Sequence, residues 1–379
     1  MIYADNAATT RISDRAFEQM LPFLCEQYGN ASSQYSLGAK AKRAVEQARK
    51  QVAAAIGAEA SEITFTSGGS EANSWVLRSA AEIYRNEPMH IITSAIEHHS
   101  VLNACRVLEQ SGVEVTFLPV DDTGRVWIED VKAAIKPITK LVSIMLANNE
   151  IGTIQPIAEI GQLLKGKGIL FHTDAVQAIG HIPVDVSELQ IDFLTASAHK
   201  FNGAKGTGIL YKLSGLDLSP LVFGGEQEHG LRAGTENVAG IVSAGYAIEE
   251  SVGEMVENEK RLKAMVEDTV NGIKEKIPSV RVNGDTKYCL PGTVNLGFDG
   301  VSGESLMHLL DLKGVCVSTS SACTSGKDEP SHVLLALGLN EQQAKSAIRV
   351  SYGRYNKIDE VGIVVTAVCD AYAKIIANH

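Results

Sequence analysis

The stretch "FLTASAHKFNGAKGTGIL", Phe193–Leu210, carries the decisive pattern. It opens as an apolar, strand-like run, ends that run on His199 and Lys200, and then passes through Gly203, Gly206 and Gly208 before turning apolar again. Lysine prefers solvent, so one set at the end of a buried strand has a charge partner, a chemical task or an ordinary place in a surface loop. The His-Lys pair alone favours the surface loop. The surrounding segments change that balance.

On the N-terminal side, strand-like and helical runs alternate. "EITFTS" (Glu62–Ser67) reads as a strand and "SEANSWVLRSAAEIYR" (Ser70–Arg85) as a helix. "HIITS" (His90–Ser94), a helix near Val101–Gln110 and "VEVTFL" (Val113–Leu118) follow. "KLVSIMLA" (Lys140–Ala147), "GILFHTDA" (Gly168–Ala175) and "IDFLTASA" (Ile191–Ala198) are apolar enough for strands covered on both faces. This alternation predicts an α/β fold with a mostly parallel sheet between helices. From Glu236 to Lys276 the pattern is long and helical, and a domain boundary is expected inside it, near residue 256. Beyond "IPSVRVNG" come a strand in "GTVNLGF", a helix over Glu304–Leu312, a strand in "AIRVSYG" and a closing helix. That last helix shows Ile358, Val361, Val365, Val368, Tyr372 and Ile375 at helical spacing.

Composition narrows the function. The 379 residues are 45% hydrophobic and carry a net charge of −11, which disfavours nucleic acid as a partner. No apolar run approaches the roughly 20 residues that span a bilayer, and the N-terminus lacks the basic-then-apolar order of a secretory signal. The six cysteines, Cys25, Cys105, Cys289, Cys316, Cys323 and Cys369, include no C-x-x-C pair. That speaks against a zinc site or disulfide scaffold and for a reducing cytoplasm. Cys316, in "GVCVS", is expected to be buried in a strand. Cys323 instead sits in "STSSACTSGKDEP" (Ser318–Pro330), a small, polar stretch of the kind expected of a mobile, functional loop.

Polar groups gather after successive strand ends. "TSGGSEAN" sets Gly69 and Ser70 at a helix start, where backbone N–H groups favour a phosphate; an ordinary cap by Ser70 is the plainer alternative. Asp174 and Gln177 follow one apolar run, His98 another and Asn149 a third. Ligands of open α/β sheets bind outside the carboxyl ends of the strands, so this convergence marks a candidate site.

The ordered set SGGSEAN, EHHSVL, NNEIG, HTDAVQ, SAHKFNGAKGTG, RAGTEN, SSACTSG and IRVSYGR closely resembles the cysteine desulfurases, across essentially the whole chain. The resemblance implies a pyridoxal 5'-phosphate enzyme of the fold type I transferases. It implies a large cofactor-binding domain (12–256) with a mostly parallel seven-stranded sheet, and a smaller α+β domain (1–11 and 257–379) that carries the cysteine loop of the long-loop group. It implies Lys200 as the Schiff-base lysine, His98 as the ring-stacking histidine, Asp174 and Gln177 as partners of the ring nitrogen and phenolate, and Gly69, Ser70, Ser197 and His199 as phosphate ligands. Thr235 would reach the phosphate from the second subunit of a homodimer. Asn30, Asn149 and Arg349 would line the substrate site, Arg349 gripping a carboxylate, with Asn149 also near the cofactor. Cys323 would take sulfur from L-cysteine as a persulfide, leaving L-alanine. A protein acceptor such as an iron–sulfur scaffold would receive it, with thio-modification a further outlet, and no metal is expected. A selenocysteine lyase or another pyridoxal-phosphate enzyme of this fold is the alternative. One departure stands out: the family commonly has proline after the Asn30 position and histidine where this chain has Tyr35.

Overall fold

The structure, a computed structural model, describes residues 1–319 and 329–377. Its strands are β1 (Ile2–Tyr3), β2 (Ile63–Thr66), β3 (His90–Ser94), β4 (Glu114–Leu118), β5 (Thr139–Ser143), β6 (Leu170–Asp174), β7 (Phe193–Ser197) and β8 (Gly208–Lys212), then β9 (Arg281–Asn283), β10 (Thr293–Gly297), β11 (Val315–Cys316), β12 (Ser318–Thr319) and β13 (Ala347–Ser351). Seven of them form the large sheet in the order β2-β8-β7-β6-β5-β3-β4. Only β8 runs against the rest, antiparallel to both β2 and β7. All five residues of β3 and of β7 are buried, as covered strands require. Inside the sheet several polar side chains find partners, whereas the buried Thr93 hydroxyl has none among the described residues. His90 bridges Thr139 and Thr116 at 2.8 Å each, and burial lowers its pKa.

The helix Gly69–Ile83 buries Ala72, Asn73, Trp75, Val76 and Leu77, and the Trp75 indole donates to the Ser219 carbonyl at 2.7 Å. Its cap residue is Gly68, with no capping side chain, so the plainer alternative of a cap by Ser70 does not form. The long helical stretch is two helices, Val238–Gly253 and Met255–Lys276. Gly253 is a weak helix former, and the break at Glu254 is held by Arg354, paired to Glu250 at 2.7 Å and Glu254 at 2.6 Å. The first of these helices packs into a buried cluster that includes the large sheet. The second contributes Leu262, Met265 and Ile273 to another cluster, together with Ile2, Ala4 and the closing helix Glu360–Ile376. Ile358 lies ahead of that helix and is exposed, so it leaves the expected apolar stripe.

A four-stranded antiparallel sheet, β12-β13-β10-β9, supports the second cluster, and β1 pairs in parallel with β11. Cys316 is in a strand but only half buried, because two-residue β11 has β1 as its one sheet neighbour among the described residues. Glu329 and Pro330 lead into the short helix His332–Ala336. Cys323, and with it most of the expected mobile loop, lies outside the described residues.

Candidate active site

The carboxyl ends of β3, β5, β6 and β7 and the start of the helix Gly69–Ile83 surround one cavity of about 310 Å³. Gly69, Ser70, His98, Asn149, Asp174, Gln177, Ser197, His199, Lys200 and Arg349 all line it. Ten of the residues singled out from sequence therefore meet in space, although they are spread over most of the chain.

Lys200 ends a 3-10 turn, Ala198–Lys200, directly after β7. Its Nζ donates to the carbonyls of Ala7 at 2.5 Å and Ala8 at 2.8 Å, while His181 Nε2 holds its backbone carbonyl at 3.1 Å. His199 Nδ1 lies 3.1 Å from Thr9 Oγ1. Burial, helped by the charges of Lys200 and Lys205, pushes the His199 ring down to about 4, so it is neutral at physiological pH. Asp174 closes β6 as a buried carboxylate that accepts from Asn73 Nδ2 at 2.6 Å and from the Val176 N–H at 3.0 Å. Gln177 Nε2 donates to the Ala7 carbonyl at 3.0 Å.

His98 caps the helix His99–Gln110, its Nδ1 accepting the Ser100 N–H at 3.1 Å. Burial lowers its pKa, Lys200 and His99 push the same way, and Asp174 opposes them. Arg349, on β13, is a buried guanidinium. Nη1 donates to the Asn149 carbonyl at 2.8 Å and Nη2 to Asp5 at 2.6 Å, while Nε has no partner among the described residues. Next to Asn149, Glu150 accepts from the Ser331 hydroxyl at 2.5 Å, and burial pushes its carboxyl up to about 7.

Among the described residues, two expected site residues stay outside this cavity. Thr235 is exposed. Asn30 is also exposed, its side chain accepting the Ser32 N–H at 2.8 Å. Tyr35 is exposed at the start of the helix Ser36–Ala55. Conversely, Asn73, Ser100, Met145 and the carbonyls of Ala7 and Ala8 belong to the site without having been singled out. Asn73 had a signal, since it follows Gly69 by four residues on one helix face. The N-terminal segment had none, because its place depends on pairing with β11 and Ser351.

The residue set suits a flat aromatic phosphate ester carrying an aldehyde. An uncapped helix start with Ser70, Ser197 and His199 suits the phosphate, and Asp174 suits a protonated ring nitrogen. A Cβ at Gly69 would come within 2.7 Å of Val176 Cγ2, so a larger residue there needs the Val176 side chain to shift. No cluster able to hold a metal occurs among the described residues.

Comparison with known proteins agrees in extent and kind. The profile of the family described as Aminotransferase class-V matches residues 2–364. Cysteine desulfurase IscS of Clostridium botulinum is 48% identical over 366 residues, 96% of this chain and 92% of the relative. Putative cysteine desulfurase IscS 1 of Bacillus subtilis is 47% identical over 378 residues, 99% of both chains. Among solved structures, a NifS-like protein superposes with a TM-score of 0.93 at 39% identity, covering 98% of this chain and 99% of its own.

Proposed function

We propose a course for the reaction from one premise: the chain belongs to the Aminotransferase class-V family and is a cysteine desulfurase that depends on pyridoxal phosphate. The observation that carries it is the convergence of the Lys200 amine, the Asp174 carboxylate, the His98 ring and the Arg349 guanidinium on one cavity. Gly69, Ser70, Ser197 and His199 would hold the phosphate, Asp174 the ring nitrogen, Gln177 the phenolate oxygen and Lys200 the aldehyde carbon, with His98 against the ring. When bound, the cofactor supplies the electron sink for charge left on the substrate's α-carbon.

Arg349 and Asn149, which line the cavity, receive the carboxylate of L-cysteine, the guanidinium in a charge-assisted contact. Lys200 moves the α-proton. The Cys323 thiolate attacks the substrate sulfur, so the Cβ–S bond breaks as an S–S bond forms. L-Alanine leaves after gaining a proton, and the enzyme keeps a persulfide. A protein acceptor takes that sulfur onward, for iron–sulfur cluster assembly and for thio-modification. The exposure of Thr235, away from the cavity of its own chain, supports a homodimer in which it completes the partner's phosphate site. The two buried clusters support a large unit over 12–256 and a small one over 1–11 and 257–379. Five free cysteines among the described residues, and no helix there long and apolar enough to cross a membrane, fit a cytoplasmic setting.

Cys323→Ser is the test. The variant keeps its cofactor and its spectral response to L-cysteine, but forms no persulfide and almost no alanine. Alanine production at the normal rate would refute the sulfur route.

A further inference from the structure

Asn73, Ser100 and His98 form a directional chain of hydrogen bonds that starts at Asp174. A backbone N–H can only donate, and that of Ser100 points at His98 Nδ1 from 3.1 Å. Nδ1 therefore carries a lone pair, and in a neutral ring the proton must sit on Nε2. The Ser100 hydroxyl lies 2.8 Å from the same Nδ1 and 2.9 Å from Asn73 Nδ2. With an amide proton aimed at its oxygen, the hydroxyl turns its own proton toward Nδ1. The Asn73 amide is oriented in turn by the carboxylate. Nδ2 stands 2.6 Å from Asp174 Oδ2, and the reversed amide would set oxygen against oxygen. Both amide protons are thereby spent, one on Asp174 and one on Ser100. Asn73 is almost wholly buried, so its amide is held by these two partners and not by water.

We propose that Asn73 and Ser100 are positioning residues that fix the His98 ring as the neutral tautomer with its proton on Nε2, so that the ring meets the cofactor site as a hydrogen-bond donor and not as a base. The inference rests on the reading that His98 faces the cofactor. It deepens that reading by leaving proton removal at the α-carbon to Lys200. Burial of the ring and the nearby Lys200 and His99 reinforce the neutral form against the pull of Asp174.

Neutron diffraction from deuterium-exchanged crystals of the holoenzyme reads the assignment directly. Deuterium on His98 Nε2 and none on Nδ1, with the Ser100 hydroxyl deuterium aimed at Nδ1, is the expected result; deuterium on Nδ1 overturns the proposal. In solution, Ser100→Ala should keep the cofactor and the KM for L-cysteine while kcat falls about 2- to 10-fold, the worth of one neutral hydrogen bond. Ser100→Thr, which restores the hydroxyl, should recover it; an unchanged kcat in Ser100→Ala removes Ser100 from the role. Unaltered turnover in His98→Gln would instead overturn the underlying reading of His98, whatever tautomer the neutron map shows.

Discussion

Two residues side by side, Glu97 and His98, show how burial sorts chemistry. His98 faces the cavity, whereas Glu97 is fully buried behind it. One Glu97 oxygen accepts from Ser94 Oγ at 2.7 Å and the Met145 N–H at 2.9 Å, and Oε2 has no partner among the described residues. Burial outweighs those hydrogen bonds and pushes the carboxyl up to about 8. The folded state therefore binds this proton more tightly than the unfolded chain does. Glu97 contributes fully below its ordinary pKa of 4.5, and its contribution is lost as pH rises from there through about 8. Glu97→Gln mimics the protonated form, so its stability should fall less than that of the native protein between pH 5 and pH 8 in urea titrations. Parallel curves would show that Glu97 does not titrate in that window. At this scale the sequence was legible for groups that follow strand ends, such as Lys200 and Asp174. It was silent on Glu97 and Glu150, whose properties come from burial by distant segments.

Among elements, the meeting of β8 with the turn after β2 sets the phosphate end of the site. A Cβ on Gly208 would stand 2.5 Å from the backbone Cα of Gly68 and closer still to Thr66 Oγ1. Backbone cannot swing aside as a side chain can, so Gly208→Ala must move the turn that carries Gly69 and Ser70. We expect a loss of about 1–3 kcal/mol in urea unfolding and weaker cofactor binding in absorbance titrations. Gly362→Ala is the control: it lies in the closing helix with open space around it and should gain about 0.5–1 kcal/mol with unchanged cofactor affinity. A Gly208→Ala protein with native affinity would mean the turn is not tied to the strand. The strands of the large sheet could be read from their apolar runs, because each is covered on both faces. The helix break at Glu254 could not, since Arg354 reaches it from a hundred residues away.

Over the whole molecule, the N-terminal segment joins what the sequence separates. Asp5 bridges to Ser351 and pairs with Arg349, whose side chain is 5% exposed against 18% for Asp5. Removing one partner of so buried a pair leaves a charge without compensation, so Asp5→Ala should cost about 3 kcal/mol. Asp5→Leu combined with Arg349→Met should recover much of that stability while L-cysteine binding stays impaired. Recovery of binding by the double variant would remove Arg349 from the substrate site. This link, unlike the sheet, left no trace in local sequence pattern, since its partners lie 344 residues apart. The same geometry sets an order of events during synthesis. Lys200 leaves the ribosome with Ala7 and Ala8 already made, but Val315, Arg349 and Ser351, which anchor the segment carrying those carbonyls, do not yet exist. At about 5–20 residues per second, the nascent chain spends on the order of ten seconds with its reactive amine made and its pocket unfinished.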